Sequence, residues 1–384
     1  MDIGYQPEHL DSSTQEQQDR QQRKQAAEEI LKKNLGEGIQ IEYGFPITEE
    51  RDAQGNVIDA EIVWVRFSDS EGQEKGTLPV EAKIYFPRQA GDESGKSKII
   101  VLFVPGYPGG ASGRFESTYA PEVVGRGNIF CVARRNSKPF NEDESEMAKV
   151  FNSPRRIADA RADGQKYMGP DIPEGYTLQE LLNEPVPALQ ALGKQVDEIK
   201  LVGNSFGTTC LYNTVDHLRQ NNPKIAEKIT HLISLAGYLV GDEEDSFWHS
   251  AKMDLNHLEA EEVAIMQKDG VHFNLPKYRE SLLQLAKQMK DIKIPAHILQ
   301  TIVCAVEDPL ITLPLIKKIS AEGDKEIIEF TPFPGHEKRT LMIEDYTPHK
   351  KPHTLSGLTP KTLTRLLEMR GGRGTHFVKV GIER

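Results

Sequence analysis

The sequence predicts an α/β protein: a mostly parallel central sheet with helices on both faces, entered through an antiparallel lead-in and carrying an inserted helical lid. Three observations lead there. From residue 98 onward, apolar runs recur with helix-compatible stretches between them: "KIIVLFV", "NIFCVA", "IKLVG", "HLISLAG", "HILQTIVCA" and "EIIEFTPF". Unbroken apolar strands have to be covered on both sides, which is the condition of strands in a parallel sheet. Between 39 and 86 the pattern differs. Short β-rich runs, "IQIEYGF", "AEIVWVRF" and "LPVEAKIYF", are separated by polar stretches, the first of which contains the turn "DAQGN". Close spacing with a turn signal points to antiparallel pairing. Two long polar stretches, 136 to 173 and about 241 to 292, then interrupt the alternation.

Taken in order, residues 1–38 form a polar extension, helical or disordered. Within it, 12 to 35 begins with a capping box from Ser13 to Glu16 and stops at Gly36, so a helix fits, but its first half has no apolar face and a solvated element is expected. Residues 39–344 hold the main domain. The insertion at about 241–292 contains helical periods together with Phe247, Trp248 and Phe273, and it follows a strand on the edge where a ligand would bind, which suits a lid. Residues 345–384 form a basic tail with one short helix, capped by Thr359, opened by Pro360 and closed before Gly371. With eight Lys or Arg against three acids, the tail would dock on the acidic body or on a second subunit, which leaves room for a homodimer.

At 384 residues with 38% hydrophobic and 27% charged side chains, the chain can bury a large core. Its formal charge of -11 argues against nucleic-acid or anionic-membrane partners. No apolar segment approaches the length of a membrane span, and "MDIGYQPEHLDSSTQEQQ" has no signal-peptide pattern, so a cytoplasmic location is expected. Cys131, Cys210 and Cys304 lie in or beside apolar runs and are expected to be reduced core residues. With no metal-binding spacing and no phosphate loop, neither a metal nor another cofactor is expected.

The chemistry-bearing residues stand where strands end. Parallel sheets bind ligands at the carboxyl edge. "IKLVG" runs into Gly203-Asn204-Ser205-Phe206-Gly207, a serine flanked two places away on each side by glycine. Such a turn from strand to helix holds the serine at a strained apex, exposed for attack, although the five-residue pattern alone is common by chance. "KIIVLFV" runs into Pro105-Gly106-Tyr107-Pro108-Gly109-Gly110, whose backbone N–H groups are free to face a ligand oxygen. Glu307 and Asp308 follow "HILQTIVCA", and His336 follows "EIIEFTPF" in a Pro-Gly loop. Serine, acid and histidine thus occur in that order, each just past a predicted strand.

That order and context resemble the α/β-hydrolase fold superfamily of serine hydrolases over about residues 60 to 344. The resemblance implies Ser205 as nucleophile, His336 as general base and Asp308 as the acid that orients it. It also implies an oxyanion hole from the backbone N–H groups of Tyr107 and Phe206. Glu307, or the acids at 242 to 245, remain alternatives for the acid. Two positions depart from the commoner pattern: Pro105 stands where many members have histidine, and Thr208 where many have a further glycine. The expected activity is hydrolysis of a small or medium acyl ester through an acyl-enzyme, with Phe247 and Trp248 contacting the substrate. The alternatives are a serine peptidase of the aminopeptidase or prolyl-oligopeptidase kind, which the acidic "GDEED" would suit by binding an amine, and a non-catalytic scaffold acting as a receptor or partner module.

Overall fold

The computed structural model describes residues 12–67, 81–88, 98–105, 113–134, 182–183, 185–204, 206–235, 292, 294–295, 297–305, 326–329, 360–368 and 375–380. Among these, ten strands form one sheet. In chain order they are β1 (Ile41–Ile47), β2 (Ala60–Phe67), β3 (Glu81–Pro87), β4 (Ile99–Val104), β5 (Ile129–Arg134), β6 (Glu198–Asn204), β7 (Ile229–Leu235), β8 (Leu299–Ala305), β9 (Glu326–Glu329) and β10 (Thr375–Val380). The spatial order is β1-β2-β3-β5-β4-β6-β7-β8-β10-β9. β1 and β3 run against the rest, and every pairing from β5 to β9 is parallel. The parallel centre expected from the apolar runs is therefore present, with the antiparallel lead-in beside it.

Helices cover both faces of the sheet. On one lie α1 (Ser12–Leu35), α3 (Val186–Gly193), α4 (Phe206–Asn221) and the single turn α5 (Pro223–Ala226). Their apolar side chains join alternate strand residues, Val65, Ile84, Leu102, Cys131 and Leu201 among them, in one buried cluster. Residues between these, such as Lys200 and Val202, point to the other face. There α2 (Gly113–Gly125) and α6 (Pro360–Glu368) pack against each other, and Leu363, Leu366 and Leu367 of α6 are buried. Lys200 Nζ crosses to donate to the Leu367 carbonyl at 2.6 Å. A cation there complements the carbonyl end of the helix.

The helix expected at 12 to 35 is present, but the expectation of a solvated element is corrected for its second half. Ala27, Leu31 and Leu35, spaced one helical turn apart, are buried against β1 and β2. Ile30, half-buried, packs against the same cluster, and the long polar side chains around this stripe stay at the rim. Glu61 on β2 accepts from Lys33 at 2.5 Å and from Asn34 at 3.0 Å. Gly36 ends the helix with φ +97° and its N–H on the Lys32 carbonyl at 2.9 Å, a left-handed cap that suits glycine.

The "DAQGN" turn links β1 to β2 through Asp52, whose Oδ1 accepts from the N–H of Gln54 and of Asn56. This hairpin also braces α2. Pro121 has no N–H for the Ser117 carbonyl one turn earlier, and the Ala53 N–H of the hairpin donates to that carbonyl at 3.2 Å.

The segment from 345, expected to be a basic tail with one helix, supplies a strand as well. β10 lies between β8 and β9, pairing in parallel with both. Seated inside the sheet, it has both edges of its backbone paired. Among the described residues, α6 meets the body through its own acid as well: Glu368 pairs with Arg126 at 2.5 Å. Cys131 and Cys210 are buried free thiols, and burial pushes the Cys131 thiol far above the usual range. Such a thiol behaves as a small apolar side chain.

Candidate active site

β6 ends at Asn204 and α4 begins at Phe206, leaving position 205 alone between strand and helix. The two flanking glycines show why. A Cβ on Gly203 would stand 2.6 Å from both Cα and N of Thr208 and 2.9 Å from the Gly207 carbonyl carbon. A Cβ on Gly207 would stand 2.2 Å from the Val104 oxygen and 2.6 Å from the Pro105 oxygen. All of these obstacles are backbone, which cannot swing aside as a side-chain tip can. Glycine at 203 lets the turn close on its own helix. Glycine at 207 lets that helix start against the end of β4.

The second contact matters for chemistry. It sets the carboxyl end of β4, and so the beginning of the Pro105–Gly110 segment, directly beside the strand-to-helix turn. The Phe206 N–H is the first of α4, where backbone donors have no partner within the helix and the dipole is positive. No acidic side chain in the first turn of α4 neutralises that end. A developing oxyanion beside position 205 would find those donors.

Buried polar side chains tie the turn to β7. Asn204 Nδ2 donates to the Leu235 carbonyl at 3.1 Å. Thr208 Oγ1 donates to the Gly203 carbonyl at 2.9 Å and lies 3.3 Å from Ser234 Oγ, which donates to it. Further along α4, Tyr212 Oη donates to Gln300 Oε1 of β8 at 3.0 Å. Burial pushes the Tyr212 phenol far up, so it remains a neutral donor.

Of the residues expected to act, Ser205, Tyr107, Asp308, Glu307, His336, Phe247, Trp248 and the acids 242 to 245 lie outside the described residues, and Phe206 is placed by its backbone alone. What is described is the set of strand ends that carry them. β4, β6, β8 and β9 are co-directional and finish on one edge of the sheet, at Val104, Asn204, Ala305 and Glu329. The ends of β4 and β6 are brought into backbone contact. The supporting roles of Asn204, Thr208 and Ser234 were not anticipated; the signal was a threonine in place of a commoner glycine, and one serine at the end of the apolar run "HLISL". Among the described residues no group of three or more His, Cys, Asp or Glu could hold a metal, and no helix is long and apolar enough to cross a membrane.

Strand order and strand direction among the described residues are those of an α/β-hydrolase fold. Among solved structures, the chain is similar to a dienelactone hydrolase from Anabaena variabilis, at 13% identity and a TM-score of 0.39 over 80% of this chain and 95% of that one. It is also similar to acetyl xylan esterase 1 from Thermoanaerobacterium, at 11% identity and 0.39 over 94% and 86%, and to Candida antarctica lipase A, at 10% and 0.39 over 74% of each. No protein-family model and no curated protein matches the chain.

Proposed function

We propose that the chain is a serine hydrolase that cleaves a small or medium acyl ester through an acyl-enzyme. The observation that supports this reading best is the turn at 203 to 207, where backbone fills the space of both missing Cβ atoms and one residue is left between β6 and the unneutralised end of α4. In this reading His336 takes the proton from the Ser205 hydroxyl as Oγ attacks the ester carbonyl. The N–H groups of Phe206 and Tyr107 receive the oxyanion. His336 then returns the proton to the departing alkoxide, and the cycle repeats with water to release the acid. Asp308 holds the imidazole in the tautomer this requires.

The strand order bears on the reach of the base. Neighbouring strands lie about 4.8 Å apart, so β9, four strands from β6, stands about 19 Å away. The seven residues from 330 to 336 can extend about 23 Å, so their length permits His336 to reach position 205. In the insertion at 241–292, Phe247 and Trp248 are proposed to contact the acyl chain.

A fluorophosphonate probe tests the reading. The wild-type protein should be labelled once, and Ser205→Ala should abolish both labelling and turnover of p-nitrophenyl acetate, a loss of about 10⁴-fold or more, with an unchanged melting temperature. Labelling that survives in Ser205→Ala would refute the nucleophile. Turnover of aminoacyl amides in preference to esters would move the protein to the peptidases.

A further inference from the structure

We propose that Thr208 is a positioning residue for the nucleophile turn, acting through a side-chain clamp across it; this rests on the serine-hydrolase reading above. Thr208 is fully buried in the first turn of α4, and its hydroxyl does not bond back within its own helix. It reaches instead to the carbonyl of Gly203, five residues earlier and on the far side of position 205, at 2.9 Å. That bond joins the end of β6 to the first turn of α4 across residues 204 to 207. The join has no slack, because Thr208 Cα and N already occupy the space of a Gly203 Cβ.

The clamp is anchored as well as closed. Ser234 Oγ, also fully buried, donates to Thr208 Oγ1 at 3.3 Å. In the β6–β7 pairing Ser234 stands opposite Gly203, so both partners of the threonine hydroxyl come from one rung of the sheet. Asn204 adds a second tie, to the Leu235 carbonyl on the next rung. A glycine at 208 would leave the turn held by backbone sterics and the Asn204 tie alone. The hydroxyl fixes the distance between the strand side and the helix side, and hence the aim of whatever projects from 205. Attack geometry is sensitive at this scale, since a misplacement of about 1 Å costs about 100-fold in rate.

A clamp with this role should appear in the acylation step and not in substrate affinity. Thr208→Val keeps the shape and removes the hydroxyl. It should slow the acylation burst with p-nitrophenyl acetate about tenfold, with KM within about twofold, at a temperature well below its melting point. Thr208→Ser restores the donor and should recover the rate to within about twofold of wild type. Ser234→Ala, a milder change that keeps Thr208, should slow acylation about threefold. A wild-type burst rate in Thr208→Val, whatever its melting temperature, overturns the proposal. If that variant does not fold, an unchanged rate in Ser234→Ala does so. Amide exchange over residues 203 to 208 separates this proposal from the reading beneath it: exchange should quicken in Thr208→Val and not in Thr208→Ser. Should the wild-type protein neither label nor turn over, the hydrolase reading falls, and exchange alone decides whether the clamp exists; unchanged exchange removes it.

Discussion

The antiparallel flank of the sheet and its parallel centre are both buried, yet they hold polar groups in different ways. On β2 and β3 charged side chains lie within the sheet as pairs. Lys83 meets Glu50 at 2.7 Å with little exposure on either side, Glu50 also accepts from the Tyr85 hydroxyl at 2.9 Å, and Arg66 meets Glu81 at 3.0 Å. In the centre, β4 is apolar along its length, and on β6 and β7 the buried polar side chains sit away from the middle: Lys200 and His231 toward the amino end, Asn204 and Ser234 toward the carboxyl end. The flank is a scaffold held by side chains. In the centre, where the candidate site lies, backbone packs against backbone at the Gly203 and Gly207 positions, and a few hydroxyl and amide groups tie the turn there.

That contrast ranks substitutions. The largest effect should come from Gly207→Ala in the centre, because the new methyl carbon would lie 2.2 Å from a strand carbonyl that cannot move. A loss of about 4 kcal/mol or more is expected, visible in urea denaturation or as failure to recover folded protein. A variant of wild-type stability would show that the two strand ends are not in contact as described. In the flank, Lys83→Met leaves Glu50 short of its cation and should cost about 3 kcal/mol. The double change Lys83→Met with Glu50→Gln should recover part of that loss, since no charge is then left unpaired. If the single and double variants melt together, the pair contributes nothing to the flank.

Smaller still is the hold of α1 on β2. Burial pushes the Glu61 carboxyl up, but hydrogen bonds from Asn34 and Lys33 and the charges of Lys33 and Arg88 outweigh it and leave the group below its ordinary range near 4.5. A carboxyl with a lowered folded-state pKa adds stability that is fully present above the unfolded value and is lost as the pH falls through the folded one. Limited proteolysis of α1 should therefore accelerate below about pH 4 in the wild-type protein. In Glu61→Gln, cleavage should be faster at neutral pH and less dependent on acid. Equal pH dependence in both would take Glu61 out of the hold. Last comes Arg126→Ala at the exposed pair with Glu368, expected to cost under about 1 kcal/mol and to shift the melting temperature by only a few degrees.

How far the fold was legible depends on whether its cause is local. β4 is an unbroken apolar run, and β6, β7 and β8 are mostly apolar over a strand's length, as burial on both faces demands, so they could be read directly. β10 could not. "THFVKV" is six residues long, interrupted by His376 and Lys379 and set in a basic segment, and its place is fixed by β8 and β9, both distant in sequence. α1 hid its docking stripe because a few apolar positions, Ala27, Ile30, Leu31 and Leu35, are diluted by a long polar helix. α3, short and opened by two prolines, carried too few residues to show a period. At the site, the pattern around Ser205 was visible, but the reason for its second glycine was not. Gly207 is required by the end of β4, a hundred residues away in the chain. The Thr208 clamp was visible only as a departure from a commoner residue, because hydrogen bonds between a helix and the strand before it leave no periodic trace.

The position of β10 also dictates an order of assembly. A sheet that grew strand by strand would add β9 directly to β8 as the chain emerges. Here that edge of β8 belongs to residues 375–380, which are made later. Until they arrive, β8 offers an open edge of unpaired N–H and C=O groups, the kind that joins neighbouring chains. β9, with only four paired residues, has no lasting seat of its own. The half of the sheet that carries the proposed acid and base is therefore completed by late-made, long-range pairing, the slowest kind to form. During synthesis an edge left open in this way is exposed to pairing with other chains.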